Sequence, residues 1–333
     1  MNFELSAKTI LLTFDVEDWF QVENFKQWIP FSSWPCCELR VEKNTHKLLD
    51  LLDLVRLGNS MNPLNLPNLQ SSVPSFPNSP NALPLTPNGS IKATFFVLGW
   101  IAERLPHLVR EIQVRGHEVA SHGYSHRLCG EQSTQDLKSD LTKSKKLLED
   151  ITGTPIHGYR APSFSIDNDR LKLIEEVGYS YDSSFNSFRM NKRYGQVELK
   201  SSGRNGTLFQ ISDRFYEIPI SNLRIGKQIL PWGGGGYFRL IPAQLFKHGV
   251  QSILKNQGAY LFYLHPWEID PGQPRMSQVP KSSKFRHYLN LSKTVNKLLF
   301  LIDNFKNSHF ETCCQHITQH TTAALQHRKT AAH

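Results

Sequence analysis

The chain is organised around the segment Thr13-Phe14-Asp15-Val16-Glu17-Asp18, in which three carboxylates end an apolar run. Residues 9–14 are mostly apolar, which predicts a buried strand. Side chains two residues apart lie on the same face of a strand, so Asp15 and Glu17 would share one face and Asp18 would take the other. A solvated acidic turn is the plain structural interpretation, but the motifs downstream favour an active site.

Strand-like runs and helical patterns alternate along most of the chain. Further predicted strands lie at 93–98, 117–120, 156–159, 216–220 and 259–264. Predicted helices lie at 38–57, 101–112, 137–151 and 171–177. This alternation predicts βαβ units around a parallel sheet, either open or closed into a barrel. Chemistry in such folds lies at the carboxyl ends of the strands, where Asp15, His122, Arg160 and His265 all fall.

Composition excludes some classes of protein. The formal net charge of the 333 residues is +9, but the basic side chains are scattered, so no nucleic-acid partner is expected. The five cysteines form two adjacent pairs and a single residue, which indicates reduced thiols rather than a disulfide framework. The N-terminus lacks the pattern of a secretory signal, and no apolar run approaches the ~20 residues of a membrane span. We therefore expect a soluble, cytoplasmic protein.

Two segments depart from the alternating pattern. Residues 59–90 hold seven prolines and no charged residue, which predicts a low-complexity surface insertion. Residues 306–333 are rich in Thr, His and Ala without periodicity, which predicts a disordered tail. The remaining residues are expected to form one α/β barrel domain over 7–300, the insertion apart.

Two histidines suggest a metal site. His122 and His126 are four residues apart, a spacing that on a helical turn would point both imidazoles the same way. Added to the cluster of Asp15, Glu17 and Asp18, the pair could hold a divalent ion while leaving positions open for water and substrate. One carboxylate could then bind the ion while the other acts as a base.

Other side chains could supply acid–base chemistry. Arg160 could pair with Asp15 and keep it ionised. His265 follows an apolar run and could donate a proton to a leaving amine, with Asp182 orienting its ring. Four aromatic residues could stack on sugar rings, although packing roles suit them equally: Trp19, Trp232, Tyr237 and Trp267.

Together these motifs resemble the polysaccharide deacetylases with a NodB homology domain, carbohydrate esterase family 4. The resemblance implies a distorted (β/α) barrel and metal-dependent removal of acetyl groups from N-acetylated sugars. It implies that Asp15 is the base and that Glu17, His122 and His126 bind the metal, with Asp18 as the alternative carboxylate. This chain departs from the family pattern in that Val16 separates two acids that are often consecutive.

The resemblance extends to the later motifs. Arg160-Ala161-Pro162 matches the third motif, and the backbone N–H of Ser163 is the implied oxyanion donor, although Ser163 replaces the usual aromatic. Asp182 resembles the acid of the fourth motif, and His265 matches the fifth. Segments 15–20, 234–239, 265–268 and 285–290 resemble a subgroup tied to bacterial exopolysaccharide and exosortase loci, whose C-terminal part extends the barrel.

The predicted function is therefore hydrolysis of the N-acetyl group of an N-acetylhexosamine in a bacterial exopolysaccharide or its lipid-linked precursor. Zn²⁺ is the expected ion, and Co²⁺ or another divalent ion also suits two histidines and a carboxylate. Two alternatives use the same residues: a hydrolase of small amides or cyclic imides, and a catalytically inactive glycan-binding module. The sequence leaves open the particular glycan and the oligomeric state.

Overall fold

The computed structural model describes residues 8–56, 91–188, 190–191, 193–199 and 204–330. The predicted insertion at 59–90 lies outside these residues. The strands are β1 (Thr9–Val16), β2 (Ala93–Val97), β3 (Glu118–Ser121), β4 (Gly158–Tyr159), β5 (Tyr181–Asp182), β6 (Arg204–Asn205), β7 (Leu208–Gln210), β8 (Tyr216–Glu217), β9 (Asn222–Ile225), β10 (Gln228–Pro231), β11 (Ala259–Leu264) and β12 (His309–Phe310). The helices are α1 (Val41–Arg56), α2 (Gly99–Arg104), α3 (Pro106–Val114), α4 (Thr134–Thr152), α5 (Asn168–Glu176), α6 (Gly235–Leu240), α7 (Ala243–Gln257), α8 (Lys281–Tyr288), α9 (Thr294–Asn304) and α10 (Cys313–Thr330).

The main sheet is parallel and curls into a distorted barrel. Its parallel strands pair in the order β11-β1-β2-β3-β4-β5-β8, and β7 and β6 continue it as antiparallel strands. Two hydrogen bonds connect β11 to the segments that follow β8 and β10. The N–H of Leu261 donates to Oγ of Ser221 at 2.8 Å, and the N–H of Tyr263 donates to the carbonyl of Gly233 at 2.7 Å. The predicted distorted (β/α) barrel is confirmed.

Local sequence explains several of the boundaries. The predicted strand at 259–264 matches β11, whose side chains are almost all buried. Helix α4 begins where Oγ of Ser133 accepts the N–H of Asp136 at 3.1 Å, and it ends at Gly153 in a left-handed conformation. The helix predicted at 101–112 is divided into α2 and α3, because Pro106 has no N–H to continue α2 and instead begins the next helix.

The described part of the tail, residues 306–330, is ordered, contrary to the disorder predicted for 306–333. Strand β12 pairs in parallel with the start of β1, on the side that β2 occupies further along. Helix α10 follows directly, and the N–H of Cys313 at its start donates to Oγ1 of Thr94 on β2 at 2.9 Å. The tail is ordered by contacts with segments that are distant in the sequence. Such contacts produce no periodic pattern in the tail itself, so the local sequence does not predict them. The folded domain therefore extends beyond residue 300. No helix among the described residues is long and apolar enough to cross a membrane.

A buried histidine directly before β3 gives a prediction about stability. His117 is 6% exposed, and neither of its ring nitrogens has a hydrogen-bond partner. Burial, with smaller contributions from the charges of Lys92 and Arg115, lowers its pKa to about 3. A histidine in the unfolded chain titrates near 6.5. Below that pH the unfolded state therefore binds a proton that the folded state does not, and acid destabilises the fold.

Replacing His117 by Phe is expected to weaken this acid sensitivity, because the ring packs against Phe95 with 5.2 Å between ring centroids. Between pH 7.5 and pH 5 the variant should lose about 2 kcal/mol less unfolding free energy than the wild type. Urea unfolding at the two pH values measures this difference. The variant His248→Phe, which replaces a histidine on the surface, serves as a control for the loss of one histidine. Equal acid sensitivity in wild type and His117→Phe would contradict the assignment.

Candidate active site

The carboxyl ends of the parallel strands meet at one cavity of about 150 Å³. Asp15 lies near the end of β1, His122 directly follows β3, and His265 directly follows β11. Side chains that the sequence predicted for the site and that line this cavity are Asp15, Glu17, His122, His126, Ser163, His265 and Trp267. Strand order alone explains the gathering, since β11, β1, β2 and β3 are consecutive neighbours in the sheet.

Three of these residues form a set suited to a divalent cation. Glu17, His122 and His126 each offer one ligand atom, and the three atoms lie within 4.8 Å of one another. Oε2 of Glu17 is buried and lacks a hydrogen-bond partner, although Nε2 of His126 lies only 2.7 Å away. An unpaired buried carboxylate oxygen beside an imidazole nitrogen is the arrangement that a bound cation would satisfy.

The protonation states also fit a cation. Nδ1 of His122 lies 2.8 Å from the carbonyl of Arg160, which fixes a tautomer with Nε2 unprotonated. Burial lowers the pKa of His122 to about 4, so the ring is neutral near pH 7. Burial opposes ionisation of Glu17, but the charges of His126 and His265 outweigh it and hold the pKa of that carboxyl well below its usual range.

The two histidines lie on a loop and not, as predicted, on a helical turn. Gly123 and His126 both have positive φ angles, 72° and 52°, which ends any helical continuation. The loop is held by Asp140 of α4, whose carboxylate accepts the backbone N–H groups of Tyr124 and Ser125 at 2.7 and 3.2 Å. The four-residue spacing thus brings the imidazoles together, with ring centroids 5.3 Å apart, by a different backbone path.

Asp18, the alternative carboxylate ligand, has another role. Its oxygens accept the backbone N–H groups of Trp19, Arg40 and Val41 at 2.8, 2.6 and 2.8 Å. The side chain therefore caps the start of α1 and does not belong to the cation-binding set. Burial raises the pKa of Asp18 to about 6 in spite of these hydrogen bonds.

Asp15 and Arg160 form a buried ion pair. Nη1 of Arg160 donates to Oδ1 of Asp15 and to Oγ1 of Thr13, both at 2.7 Å. Nε and Nη2 of Arg160 donate to the carbonyl and hydroxyl oxygens of Ser183, both at 2.9 Å. The second oxygen of Asp15 lies 3.9 Å from Nε2 of His265. Arg160 therefore fixes one oxygen of Asp15 and leaves the other beside the cavity.

The prediction that Asp182 orients His265 is wrong. Nδ1 of His265 lies 2.7 Å from Oε1 of Glu268, three residues later. Oε2 of Glu268 accepts Nε of the buried Arg239 at 2.7 Å. The sequence contained a signal for this pair, since a Glu three residues after the residue that begins a helical turn can hydrogen-bond back to it. The backbone N–H of His265 does donate to Glu268, at 3.2 Å.

The charges around His265 suit a proton donor. Burial by itself would lower the pKa of the imidazole, but the charges of Glu17, Glu268 and Asp15 together raise it to about 9. Glu268 is ionised, because Arg239 and His265 lower its pKa against the effect of burial. His265 is thus an imidazolium near pH 7 in this arrangement.

Asp182 supports the loop after β4 instead. Its oxygens accept the N–H and the hydroxyl of Ser184, each at 2.8 Å. The Ser184 hydroxyl oxygen in turn accepts the N–H of Ala161 at 2.7 Å. That loop carries Ser163, whose φ of 50° is unusual for a residue with a side chain. Burial and the negative charge of Asp182 raise the pKa of Glu217 well above its usual value.

Only two of the four predicted groove aromatics are near the site. Trp267 stacks on His265, and its Nε1 donates to Oε1 of Glu17 at 3.3 Å. Tyr237 lines a neighbouring cavity. Trp19 and Trp232 are packing residues: each is buried and donates its Nε1 to a backbone carbonyl, that of Glu38 and that of Phe246 respectively.

Two family models and several known proteins match parts of this chain. The polysaccharide deacetylase family model matches residues 74–181, and a domain of unknown function, DUF3473, matches residues 183–315. A peptidoglycan deacetylase-like protein, FGM2, of Gibberella zeae is 38% identical over 93 residues, covering 28% of this chain and 28% of that protein. A peptidoglycan-N-acetylglucosamine deacetylase of Bacillus cereus is 31% identical over 97 residues, covering 29% of this chain and 45% of that enzyme. The aligned region thus spans less than half the length of these relatives.

The fold has a counterpart of full length. A protein of Mycobacterium smegmatis that is classed as a polysaccharide deacetylase superimposes with a TM-score of 0.56 at 17% identity, covering 97% of this chain and 94% of that one. Residues 74–181 of the chain thus resemble the polysaccharide deacetylases, and the chain shares the fold of this solved structure. The region matched by DUF3473 supplies His265, Glu268 and Arg239, so both matched regions contribute to one site.

Proposed function

We propose that this protein is a metal-dependent hydrolase that removes N-acetyl groups from N-acetylhexosamine units of a bacterial glycan. The observation that carries the proposal is the cavity in which a buried carboxylate and two histidines stand beside a second ion-paired carboxylate and a protonated histidine. A base and an acid on either side of a cation-binding set are what amide hydrolysis requires. The deacetylases among the relatives support this choice of amide.

Asp15 is the proposed base. Its free oxygen would take a proton from a water molecule as the water oxygen forms a bond to the acetyl carbon. Arg160 holds the other oxygen at 2.7 Å and so keeps the carboxylate oriented toward the cavity. A divalent ion held by Glu17, His122 and His126 would supply Lewis-acid chemistry, polarising the acetyl carbonyl and acidifying water.

Two further groups would complete the reaction. The N–H of Ser163 is the proposed donor to the negative oxygen that develops on the acetyl carbon. His265 would then protonate the nitrogen as the carbon–nitrogen bond breaks, which yields acetate and a free amino sugar. Glu268 keeps the His265 ring oriented through the contact at Nδ1, so that Nε2 faces the cavity.

Metal removal tests the proposal. Purified protein stripped with a chelator is expected to release no acetate from N-acetylglucosamine oligomers, and addition of Zn²⁺ or Co²⁺ should restore release. Residual rates below about 1% of the reconstituted rate are expected, because the cation both orients and activates the reactants. Full activity in the stripped protein would overturn the metal dependence. Binding of oligomers without acetate release, with metal present, would instead favour the inactive glycan-binding module.

The kind of glycan and the cellular location are proposed from the sequence. We propose that the glycan is an exopolysaccharide or its lipid-linked precursor, and a precursor is the simpler substrate for the cytoplasmic location that we predict. Cell fractionation checks the location. A hydrolase of small amides or cyclic imides would use the same cavity, and turnover of an imide with no acetate release from any sugar would favour that alternative.

A further inference from the structure

The positive charge of this protein is carried by one stretch of the chain. Residues 218–302 contain eleven Lys and Arg side chains but only two acids, Glu268 and Asp270. Because this excess equals the formal net charge of +9, the rest of the chain is electrically balanced. Both acids are buried and already paired, Glu268 with Arg239 and Asp270 with Arg40. The surface formed by this stretch therefore presents basic side chains and no exposed acid of its own.

Many of these basic side chains gather around α8. Five of them lie on this helix or close to it in the chain and are exposed or half-buried: Arg275, Lys281, Lys284, Arg286 and Lys293. The guanidinium carbon of Arg275 lies 4.3 Å from the centre of the Tyr288 ring on α8. Nζ of Lys284 donates to the carbonyl of Ser277 at 2.7 Å. The segment before α8 is thus held against the helix, and its cations add to those of the helix itself.

Two large apolar side chains are exposed beside these cations. Phe285 on α8 is 60% exposed, and Leu240 at the end of α6 is 52% exposed. Both line a cavity of about 370 Å³ that also reaches His265 and Trp267 of the candidate active site. A single exposed apolar residue is ordinary, but two that border one cavity among unbalanced cations indicate a binding surface. We call these two residues and the five basic ones the α8 surface.

The backbone of the α8 surface is fixed before any partner binds. The buried Arg239 of α6 donates to the carbonyls of Arg286, His287 and Leu289 at 3.0, 2.9 and 2.7 Å. Nζ of Lys297 on α9 donates to the carbonyls of Phe238 and Ile241, on and directly after α6. Helices α6, α8 and α9 are thus tied together, so that the apolar and basic side chains keep their relative places.

We propose that the α8 surface docks this protein on an anionic phospholipid bilayer. Basic side chains near such a bilayer are attracted by the negative headgroups. Large apolar side chains among them enter the boundary between headgroups and acyl chains, which is where Phe285 and Leu240 would lie. A nucleic acid would also attract the cations, but it offers no apolar layer for an exposed leucine. Because the cavity borders the α8 surface, docking would turn the opening beside His265 toward the membrane.

Sedimentation with lipid vesicles tests the proposal. Vesicles of phosphatidylcholine alone are compared with vesicles in which about 30% of the lipid is phosphatidylglycerol. We expect the wild type to bind the anionic vesicles at least about tenfold more tightly at low salt. This preference should disappear at about 0.5 M salt, where charges on the surface are screened within a few ångströms.

Paired variants test the contribution of charge. Lys281→Gln combined with Arg286→Gln is expected to weaken binding to anionic vesicles at least about tenfold, because two exposed cations of the α8 surface are lost. Lys138→Gln combined with Lys172→Gln lowers the net charge equally, but on α4 and α5. There each ammonium has an acidic neighbour, Glu176 at 3.9 Å and Asp169 at 3.3 Å. This control pair should bind as the wild type does.

A second pair of variants tests the apolar contribution. Phe285→Ser is expected to weaken binding to anionic vesicles about tenfold, because the aromatic ring no longer enters the bilayer. Val114 of α3 is 82% exposed but lies outside the basic stretch, so Val114→Ser should leave binding unchanged. An equal effect of the two substitutions would overturn the α8 surface as the docking site.

Several other results would overturn the proposal. These are equal binding to neutral and anionic vesicles, binding that is unchanged at about 0.5 M salt, and an equal loss in the two lysine-containing pairs. Tighter binding of duplex DNA or of polygalacturonate than of anionic vesicles, at the same concentration of negative charge, would assign the surface to a different polymer and overturn it as well. Vesicle binding involves no turnover, so its outcome is independent of acetate release and of the proposed function.

Discussion

Asp15→Asn is expected to lower kcat for acetate release about 10³-fold while metal binding is retained. The substitution removes the oxygen that would accept the proton from water, and general bases contribute in this range. Oδ1 remains available to Arg160, which also keeps its bonds to Thr13 and Ser183, so the fold should persist. Asp15 is outside the cation-binding set, so zinc affinity measured by calorimetry should change little.

Asp18→Asn is the matched control for this experiment. It makes the same chemical change three residues later, at a carboxylate that caps α1. We expect it to lower the free energy of unfolding by about 1–3 kcal/mol, because a buried acceptor is lost, while kcat is nearly unchanged. A large loss of kcat in Asp18→Asn together with a wild-type kcat in Asp15→Asn would show that the base has been assigned to the wrong residue.

The sequence predicts some parts of this site well because their geometry is local. An apolar run that ends in a carboxylate fixes both the strand β1 and the position of Asp15 near its end, and the run before His265 does the same for β11. Helix α4 was similarly predictable, since Ser133 and Gly153 mark its ends. In each case a short segment of sequence is enough to predict the strand or helix and where it ends.

The predictions that were wrong have a different cause. Nothing local distinguishes a catalytic carboxylate from one that caps a distant helix, as Asp18 does, or from one that supports a loop through Ser184, as Asp182 does. Trp19 and Trp232 likewise lie against carbonyls that only the folded chain brings near. The order of the tail depends on contacts with β1 and β2, which are more than 200 residues away in the sequence.

Glu268→Gln is expected to lower kcat about 10²-fold or more, with metal affinity unchanged. The carboxylate now accepts from His265 and from Arg239 on its two oxygens, and an amide can accept on only one side. The amide nitrogen would face a donor, so the ring would lose its orientation or its tautomer. Glutamine is preferable to alanine here, because removing the side chain would leave the Arg239 charge buried and unpaired at a cost of about 3–5 kcal/mol.

The pH dependence of kcat distinguishes an effect of Glu268 on the proton donor His265 from a purely structural effect. The Glu268 charge is one of those that raise the pKa of His265 to about 9. A general acid must be protonated, so kcat falls as pH rises through its pKa. Without that charge the pKa is lower, and the alkaline limb of the kcat profile should move to lower pH in Glu268→Gln.

The variant Asp182→Asn tests whether Asp182 or Glu268 orients His265. Asp182 contacts Ser184 and the loop of Ser163 and does not contact His265, so its loss should reduce thermal stability and leave the alkaline limb in place. If Asp182→Asn moved that limb and Glu268→Gln did not, the proton donor would be oriented by Asp182 in solution. The pairing between His265 and Glu268 would then have to be abandoned.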